Sequence, residues 1–132
     1  MSLRFYTVVI DSHDAKAQAY WWARVLGWEV TYEADAEFVI ESPHMADESR
    51  TIPLGERSPG LIFVPVPESK TLKNRLHIDL APGPDDDQAA EIRRLEALGA
   101  RRIDVGQRAD VRFVVMADPE GNEFCVLADR RP

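Results

Sequence analysis

Residues 14–27 read DAKAQAYWWARVLG. The stretch begins at an aspartate, a favourable helix N-cap, and it ends at a glycine, which commonly follows the last helical residue. Between them, Ala15, Ala19, Trp22 and Leu26 recur at the spacing of one helical face. The stretch therefore predicts an amphipathic helix.

Strands are predicted on both sides of this helix, because the flanking segments are rich in β-branched and aromatic residues. The predicted strands are residues 3–11, 28–32, 37–41 and 60–64. Residues 42–59 mix prolines, Gly55 and charged residues with little periodicity, which predicts a long surface loop. The first half of the chain thus predicts the order strand, helix and three strands.

The second half predicts the same order of elements. They are a strand at 75–81, a helix at 85–98 and strands at 101–105, 111–116 and 123–127. Both predicted helices end in Leu-Gly, at Gly27 and Gly99, and Asp14 and Asp86 each lie 13 residues before those glycines. The repeat predicts an α+β fold of two βαβββ modules, about residues 1–68 and 69–132, within a single domain spanning 1–132.

Charge and cysteine content narrow the range of partners. The chain has 16 Lys plus Arg against 23 Asp plus Glu, a net charge of −7, which argues against a phosphate-binding face for nucleic acid and favours a small-molecule or protein partner. The single cysteine, Cys125, cannot form an internal disulfide, and no apolar stretch resembles a signal peptide or a membrane span. We therefore expect a cytoplasmic protein without a membrane partner.

Three motifs carry a resemblance to a known family. They are AYWWARVLGW at 19–28, KNRLHIDL at 73–80 and DPEGNEFCVL at 118–127. In this order they resemble the vicinal oxygen chelate superfamily, the glyoxalase/bleomycin-resistance/dioxygenase group, and in particular its glyoxalase-like branch. The resemblance implies two βαβββ modules whose mixed sheets curl into an open cup, commonly in a homodimer. In metal-dependent members the cup holds a divalent cation.

The resemblance also implies where the site lies, because the family's ligand positions fall on the first and last strands of each module. Those positions are Thr7, Val64, His77 and Cys125 here. Strand alternation adds Val9 and Asp79 to the same face. The prediction is that His77 and Asp79 are catalytic, whereas Thr7, Val9, Val64 and Cys125 bind substrate.

The implied metal site is degenerate, since only His77 is a usual ligand of the family. Val64 cannot bind a cation, and hard cations such as Mg²⁺ want about six oxygen-rich ligands. A soft cation such as Zn²⁺ would accept His77 and Cys125, with Asp79 as a third ligand. The ligand count favours a cup without a cation over one with a divalent metal. Without one, His77 would act as a general base or hydrogen-bond donor, oriented by Asp79.

Three functions are compatible with these residues. The leading hypothesis is a glyoxalase-like protein that acts on or binds a small organic molecule in the cup, as a relative of lyases, isomerases or dioxygenases. The alternative is a metal-free protein of the bleomycin-resistance type, which binds and sequesters a small molecule. The third is a degenerate module that assembles with another protein. The sequence leaves enzyme and binding protein open.

Overall fold

The computed structural model describes residues 3–128, and the chain forms two compact units, Met1–Ser69 (unit 1) and Lys70–Pro132 (unit 2). Each unit contains a four-stranded mixed sheet and a longer helix in the order strand, helix, three strands. The α+β fold and its internal repeat are therefore confirmed. The curling of the two sheets into one cup stays a prediction.

Unit 1 is built around the helix that the sequence predicts most clearly. Its elements are β1 (Thr7–Ser12), α1 (Ala15–Leu26), β2 (Glu29–Ala34), β3 (Glu37–Glu41), α2 (Pro43–Ala46), a 3₁₀ turn (Leu54–Glu56) and β4 (Gly60–Pro65). The Asp14 side chain accepts a hydrogen bond from the Ala17 amide at 3.1 Å, and Gly27 adopts φ 65° after the last helical turn. Both predicted helix ends are therefore confirmed.

The sheet of unit 1 has the strand order β1-β4-β3-β2, with β1 parallel to β4 and the other neighbours antiparallel. Alternate residues of the two central strands, Ile40 and Phe63, are fully buried, and α1 contacts both strands. A side chain at Gly60 would bring its Cβ within 2.9 Å of the Ile40 carbonyl oxygen. This close approach of β3 and β4 therefore requires glycine.

Unit 2 repeats the arrangement with shorter strands. Its elements are β5 (Ile78–Leu80), α3 (Gln88–Ala97), β6 (Arg101–Arg102), β7 (Val114–Ala117) and β8 (Glu123–Val126), in the sheet order β5-β8-β7-β6. The core includes Ile92 and Leu95 of α3 and Met116 and Phe124 of the sheet. No helix among residues 3–128 is long and apolar enough to cross a membrane.

Several predicted boundaries are wrong. Helix α3 begins at Gln88 instead of residue 85, because Asp87 caps it by accepting hydrogen bonds from the Ala89 and Ala90 amides at 2.9 and 3.4 Å. Strand β5 begins at Ile78 instead of residue 75, and β6 has two residues instead of five. The predicted loop at 42–59 contains α2 and the 3₁₀ turn. Local composition does not show these ends, because side-chain hydrogen bonds and strand pairing set them.

Candidate functional site

Unit 2 contains a cavity of about 210 Å³ on the sheet face that carries the His77 motif. Most polar side chains lie on β5, on β8 and in the segment before β5, whereas apolar side chains come from β7, from the loop between β6 and β7, which also carries Gln107, and from Leu127 just after β8. The lining residues are Lys73, His77, Asp79, Val105, Gln107, Phe113, Val115, Glu123, Cys125 and Leu127. The cavity is therefore apolar over most of its surface and polar on one side.

Three polar side chains converge in this cavity. The parallel pairing of β5 with β8 places Asp79 directly beside Cys125, and strand alternation places His77 on the same face as Asp79. The His77 Nε2 atom lies 3.2 Å from Asp79 Oδ1. One ligand atom from each of His77, Asp79 and Cys125 lies within 4.8 Å of the others. Asp79 therefore contacts both the imidazole and the thiol.

The Cys125 thiol is poorly suited to be a nucleophile. Burial raises its pKa above the ordinary thiol value, and the charge of Asp79 and a hydrogen bond to Asp79 raise this pKa further, against a smaller opposing effect of Lys73. The thiolate is the reactive form of cysteine. At neutral pH Cys125 is therefore a protonated thiol beside Asp79, which agrees with a role in lining the cavity.

Glu123 is a cavity residue that the sequence analysis did not name. Its side chain accepts hydrogen bonds from Lys70 Nζ at 2.8 Å and from the Asn74 amide at 2.9 Å. Burial raises the pKa of the Glu123 carboxyl, but these hydrogen bonds outweigh burial and hold the pKa below its ordinary value. Alternation along β8 could have identified Glu123, because it lies two residues before Cys125.

The predicted site residues of unit 1 lie apart from this cluster along the chain. Thr7 lines a separate cavity of about 450 Å³ within unit 1, together with Gly60, Ile62 and side chains of the 42–59 segment. The Thr7 hydroxyl donates to the Gly60 carbonyl at 3.1 Å. Among the residues that the structure describes, Val9 and Val64 do not line that cavity. Substrate contact by Thr7, Val9 and Val64 stays a prediction.

Strand register offers a way to align the two modules, through the pairing of the first and last strands of each. Thr7 pairs with Gly60, so Val9, two residues later, pairs with Ile62, whereas Val64 pairs with Asp11. In unit 2 the residue two positions after His77 is Asp79, which pairs with Cys125. If Thr7 corresponds to His77, the residue of unit 1 that pairs as Cys125 does is Ile62, two residues before Val64.

The donor set in unit 2 fits one class of divalent cation and not another. Imidazole, carboxylate and thiol donors suit Zn²⁺, for which a catalytic site has three protein ligands and one open position. The oxygen-rich coordination that Mg²⁺ and Mn²⁺ favour therefore does not fit, whereas a soft cation on His77, Asp79 and Cys125 does.

Comparison with solved structures shows the same fold in proteins of low sequence identity. Oxidase ChaP-H2 is 20% identical, with a TM-score of 0.62 over 100% of this chain and 96% of that one. The fosfomycin resistance protein FosX from Listeria monocytogenes, complexed with Mn(II) and sulfate, is 13% identical, with a TM-score of 0.66 over 98% and 93%. A bleomycin-binding protein complexed with bleomycin is 15% identical, with a TM-score of 0.59 over 97% and 100%.

Comparison with family models gives the family. A search of curated protein sequences finds no match. The model of the glyoxalase-like domain, in contrast, matches residues 7–127, which is nearly the whole chain and includes all three motifs. The chain therefore belongs to the glyoxalase-like domain family, within the vicinal oxygen chelate superfamily that its motifs resemble.

Proposed function

We propose that this protein binds a small, largely apolar organic molecule in the unit 2 cavity and that His77 exchanges a proton with it. One observation carries the proposal: an imidazole, a carboxylate and a thiol converge within 4.8 Å at one side of an otherwise apolar cavity. A few polar groups in an apolar pocket orient a ligand. The volume of about 210 Å³ favours a ligand smaller than those that fill pockets of about 300–1,000 Å³.

His77 is the group best placed for proton exchange. When Nε2 donates to Asp79, at 3.2 Å, Nδ1 carries the lone pair of the neutral ring. A neutral imidazole can accept a proton from an acidic C–H or O–H group near neutral pH. The Asp79 carboxylate then stabilises the imidazolium that forms. This role needs only residues of unit 2.

Sequestration without chemistry is the second candidate function. It is favoured because His77 Nε2 lies 3.2 Å from Asp79 Oδ1 and Cys125 lies beside the same carboxylate, so these polar groups can satisfy one another without a ligand. The apolar wall could then hold a ligand by burial alone. One structural neighbour with the same fold is, by its name, a bleomycin-binding protein. The two functions differ in whether the bound molecule exchanges a proton.

A divalent cation would bind in the same cavity. His77, Asp79 and Cys125 are the residues that would hold it, and a bound Zn²⁺ would supply a Lewis acid that polarises a ligand oxygen. Cys125 would have to lose its proton on binding, so its raised pKa makes cation affinity increase with pH.

Proton exchange can be tested with small carbonyl compounds that bind the protein. Fragments are screened by ligand-observed NMR, and the exchange of C–H for C–D next to the carbonyl is then followed in D₂O, with and without Zn²⁺. We expect exchange with the wild type and a loss of about 100-fold or more in His77→Asn, because general base catalysis contributes at least this much. The matched control is His44→Asn, an exposed histidine of unit 1.

The outcomes separate the candidates. Exchange that depends on His77 supports the proposal. Binding without exchange identifies a sequestration protein. Fragments that bind only outside the unit 2 cavity contradict both functions.

A further inference from the structure

Residues 70–77, here called the arm, bring Lys73 and His77 to the cavity without forming a helix or a strand. Apolar burial does not hold the arm in place, because its two leucines, Leu72 and Leu76, are 82% and 89% exposed. A segment with so few buried apolar contacts opens easily unless polar contacts fix it. The position of His77 therefore depends on hydrogen bonds.

Those hydrogen bonds converge on Glu123 of β8. One carboxylate oxygen accepts from Lys70 Nζ at 2.8 Å, and the other accepts from the Asn74 backbone amide at 2.9 Å. The Asn74 side chain also donates to the Asn122 carbonyl oxygen Oδ1 at 3.0 Å. The arm is thus tied to β8 at two points, on either side of Lys73 in the sequence.

The turn before β8 makes this attachment rigid. Asp118 Oδ1 accepts from the Glu120 and Asn122 amides at 2.9 Å each, and Asp118 Oδ2 accepts from the Asn122 side chain at 3.0 Å. Asn122 therefore presents its own side chain to Asn74 in a fixed position. The attachment point belongs to the ordered sheet and turn.

Burial distinguishes the Lys70–Glu123 pair from the other ion pairs. Its side chains are only 18% and 10% exposed, which makes it the least exposed of the ion pairs found among residues 3–128. A shielded, charge-assisted hydrogen bond is stronger and more directional than a solvated one. Removing one partner also leaves the other charge poorly solvated. This pair can hold the arm where exposed pairs would not.

We propose that the Lys70–Glu123 pair and the Asn74 amide form a positioning clamp, which fixes the arm and thereby holds His77 and Lys73 at the cavity. Glu123 is a positioning residue in this scheme, since it acts through the arm. The inference rests on the proposed function only in taking this cavity as the ligand site. The clamp can be tested without a ligand, so the clamp proposal and the proposed function can fail separately.

Cys125 provides the first readout, because it is the only cysteine of the chain, lies in the cavity and is buried. If the clamp opens, a thiol reagent reaches Cys125 through local opening of the arm. We expect Glu123→Gln to raise the rate of Cys125 modification roughly tenfold or more, as the loss of a charge-assisted hydrogen bond implies. Modification by local opening depends little on urea, unlike modification through global unfolding.

His77 provides the second readout. The chain has three histidines, so the imidazole signals can be assigned by ¹H–¹³C NMR with a His77→Asn reference. We expect Glu123→Gln to shift or broaden the His77 signal and to leave the signal of His44 in place. A purely stabilising role of Glu123 would not move one imidazole selectively.

Matched variants complete the experiment. Lys70→Met should reproduce both effects, whereas Lys70→Arg keeps a donor and should behave like the wild type. The double variant Lys70→Met, Glu123→Gln should show changes in the Cys125 and His77 readouts no larger than those of Glu123→Gln alone. Glu91→Gln makes the same chemical change in the Glu91–Arg94 pair of α3 and should leave both readouts unchanged. Unchanged Cys125 and His77 readouts in Glu123→Gln overturn the proposal, as does an increase in modification that follows global unfolding.

Discussion

At the residue scale, Asp79 is the side chain on which the cavity chemistry depends. It lies against the imidazole of His77 and beside the Cys125 thiol, whose pKa it helps to raise. One carboxylate thus orients the base and keeps its neighbour protonated. Cys125 can therefore serve as a probe of Asp79, because part of the rise in the thiol pKa comes from this carboxylate.

Replacing Asp79 with asparagine should lower the pKa of Cys125, because the negative charge that disfavours the thiolate is lost. The pKa should stay above the ordinary thiol value, because burial is its largest cause. The measurement is the rate of alkylation by iodoacetamide between about pH 7 and pH 10. The readout is the pH at the midpoint of the rate profile, because a change in how easily the reagent reaches the thiol alters only the amplitude of that profile. An unchanged midpoint would show that Asp79 does not act on the thiol.

At the element scale, the sequence pattern predicted the ends of elements that local interactions set. It failed for ends that are set by contacts with residues distant in the sequence. Helix α1 was predicted well because its cap, its apolar face and its C-terminal glycine all lie within 14 consecutive residues. The start of β5 was predicted wrongly because RLHIDLA has strand-like composition, while Glu123, some 49 residues after Asn74, holds the residues before Ile78. Likewise, the pairing of Val9 with Ile62 and of Asp79 with Cys125 joins residues that are distant in the sequence, so composition could not show it.

The start of helix α3 allows a direct test of the role of Asp87 as its N-cap. Asp87→Ala should destabilise the protein by about 1 kcal/mol, because it removes the acceptor of the Ala89 and Ala90 amides. Asp86→Ala is the matched control, since it removes the same charge one residue earlier without removing the cap. Urea unfolding of both variants checks this expectation. Equal losses would place the cap elsewhere.

The acid sensitivity of unit 2 should depend on the Glu123 clamp. The folded pKa of Glu123 is below its ordinary value, so its ionisation contributes stability above the unfolded pKa, about 4.3. That contribution is lost as pH falls through the folded pKa. Glu123→Gln should therefore lower the free energy of unfolding by about 1–3 kcal/mol at neutral pH. Because the variant lacks this carboxylate, urea titrations should show that its stability falls less than that of the wild type when the pH is lowered from neutral to below about 4. Parallel curves for the two proteins would contradict this.

At the scale of the whole molecule, strand β1 supports the expectation of a homodimer. Within the described part of the chain it has one hydrogen-bonded neighbour in its sheet, and Phe5, Tyr6 and Val9 in and before it are 66%, 65% and 55% exposed. Exposed apolar residues beside an open strand edge favour association. Sedimentation equilibrium should give the mass of a dimer, and Val9→Lys should shift it towards the monomer. A monomer mass for the wild type at all concentrations would rule the dimer out.

Unfolding should show whether the two units act as the single domain that the sequence predicts. Each unit is near the size, about 60 residues, at which folding buries only about 60% of the chain surface and stability is marginal, so we expect neither to be stable without the other. The chain carries a reporter in each: Trp21, Trp22 and Trp28 all lie in unit 1 and Cys125 lies in unit 2. Tryptophan fluorescence and pulsed labelling of Cys125 should therefore give the same urea midpoint, as a cooperative two-state transition requires. Two separate midpoints would mean that the units unfold independently, and a substitution in unit 1 would then leave the His77 cavity intact.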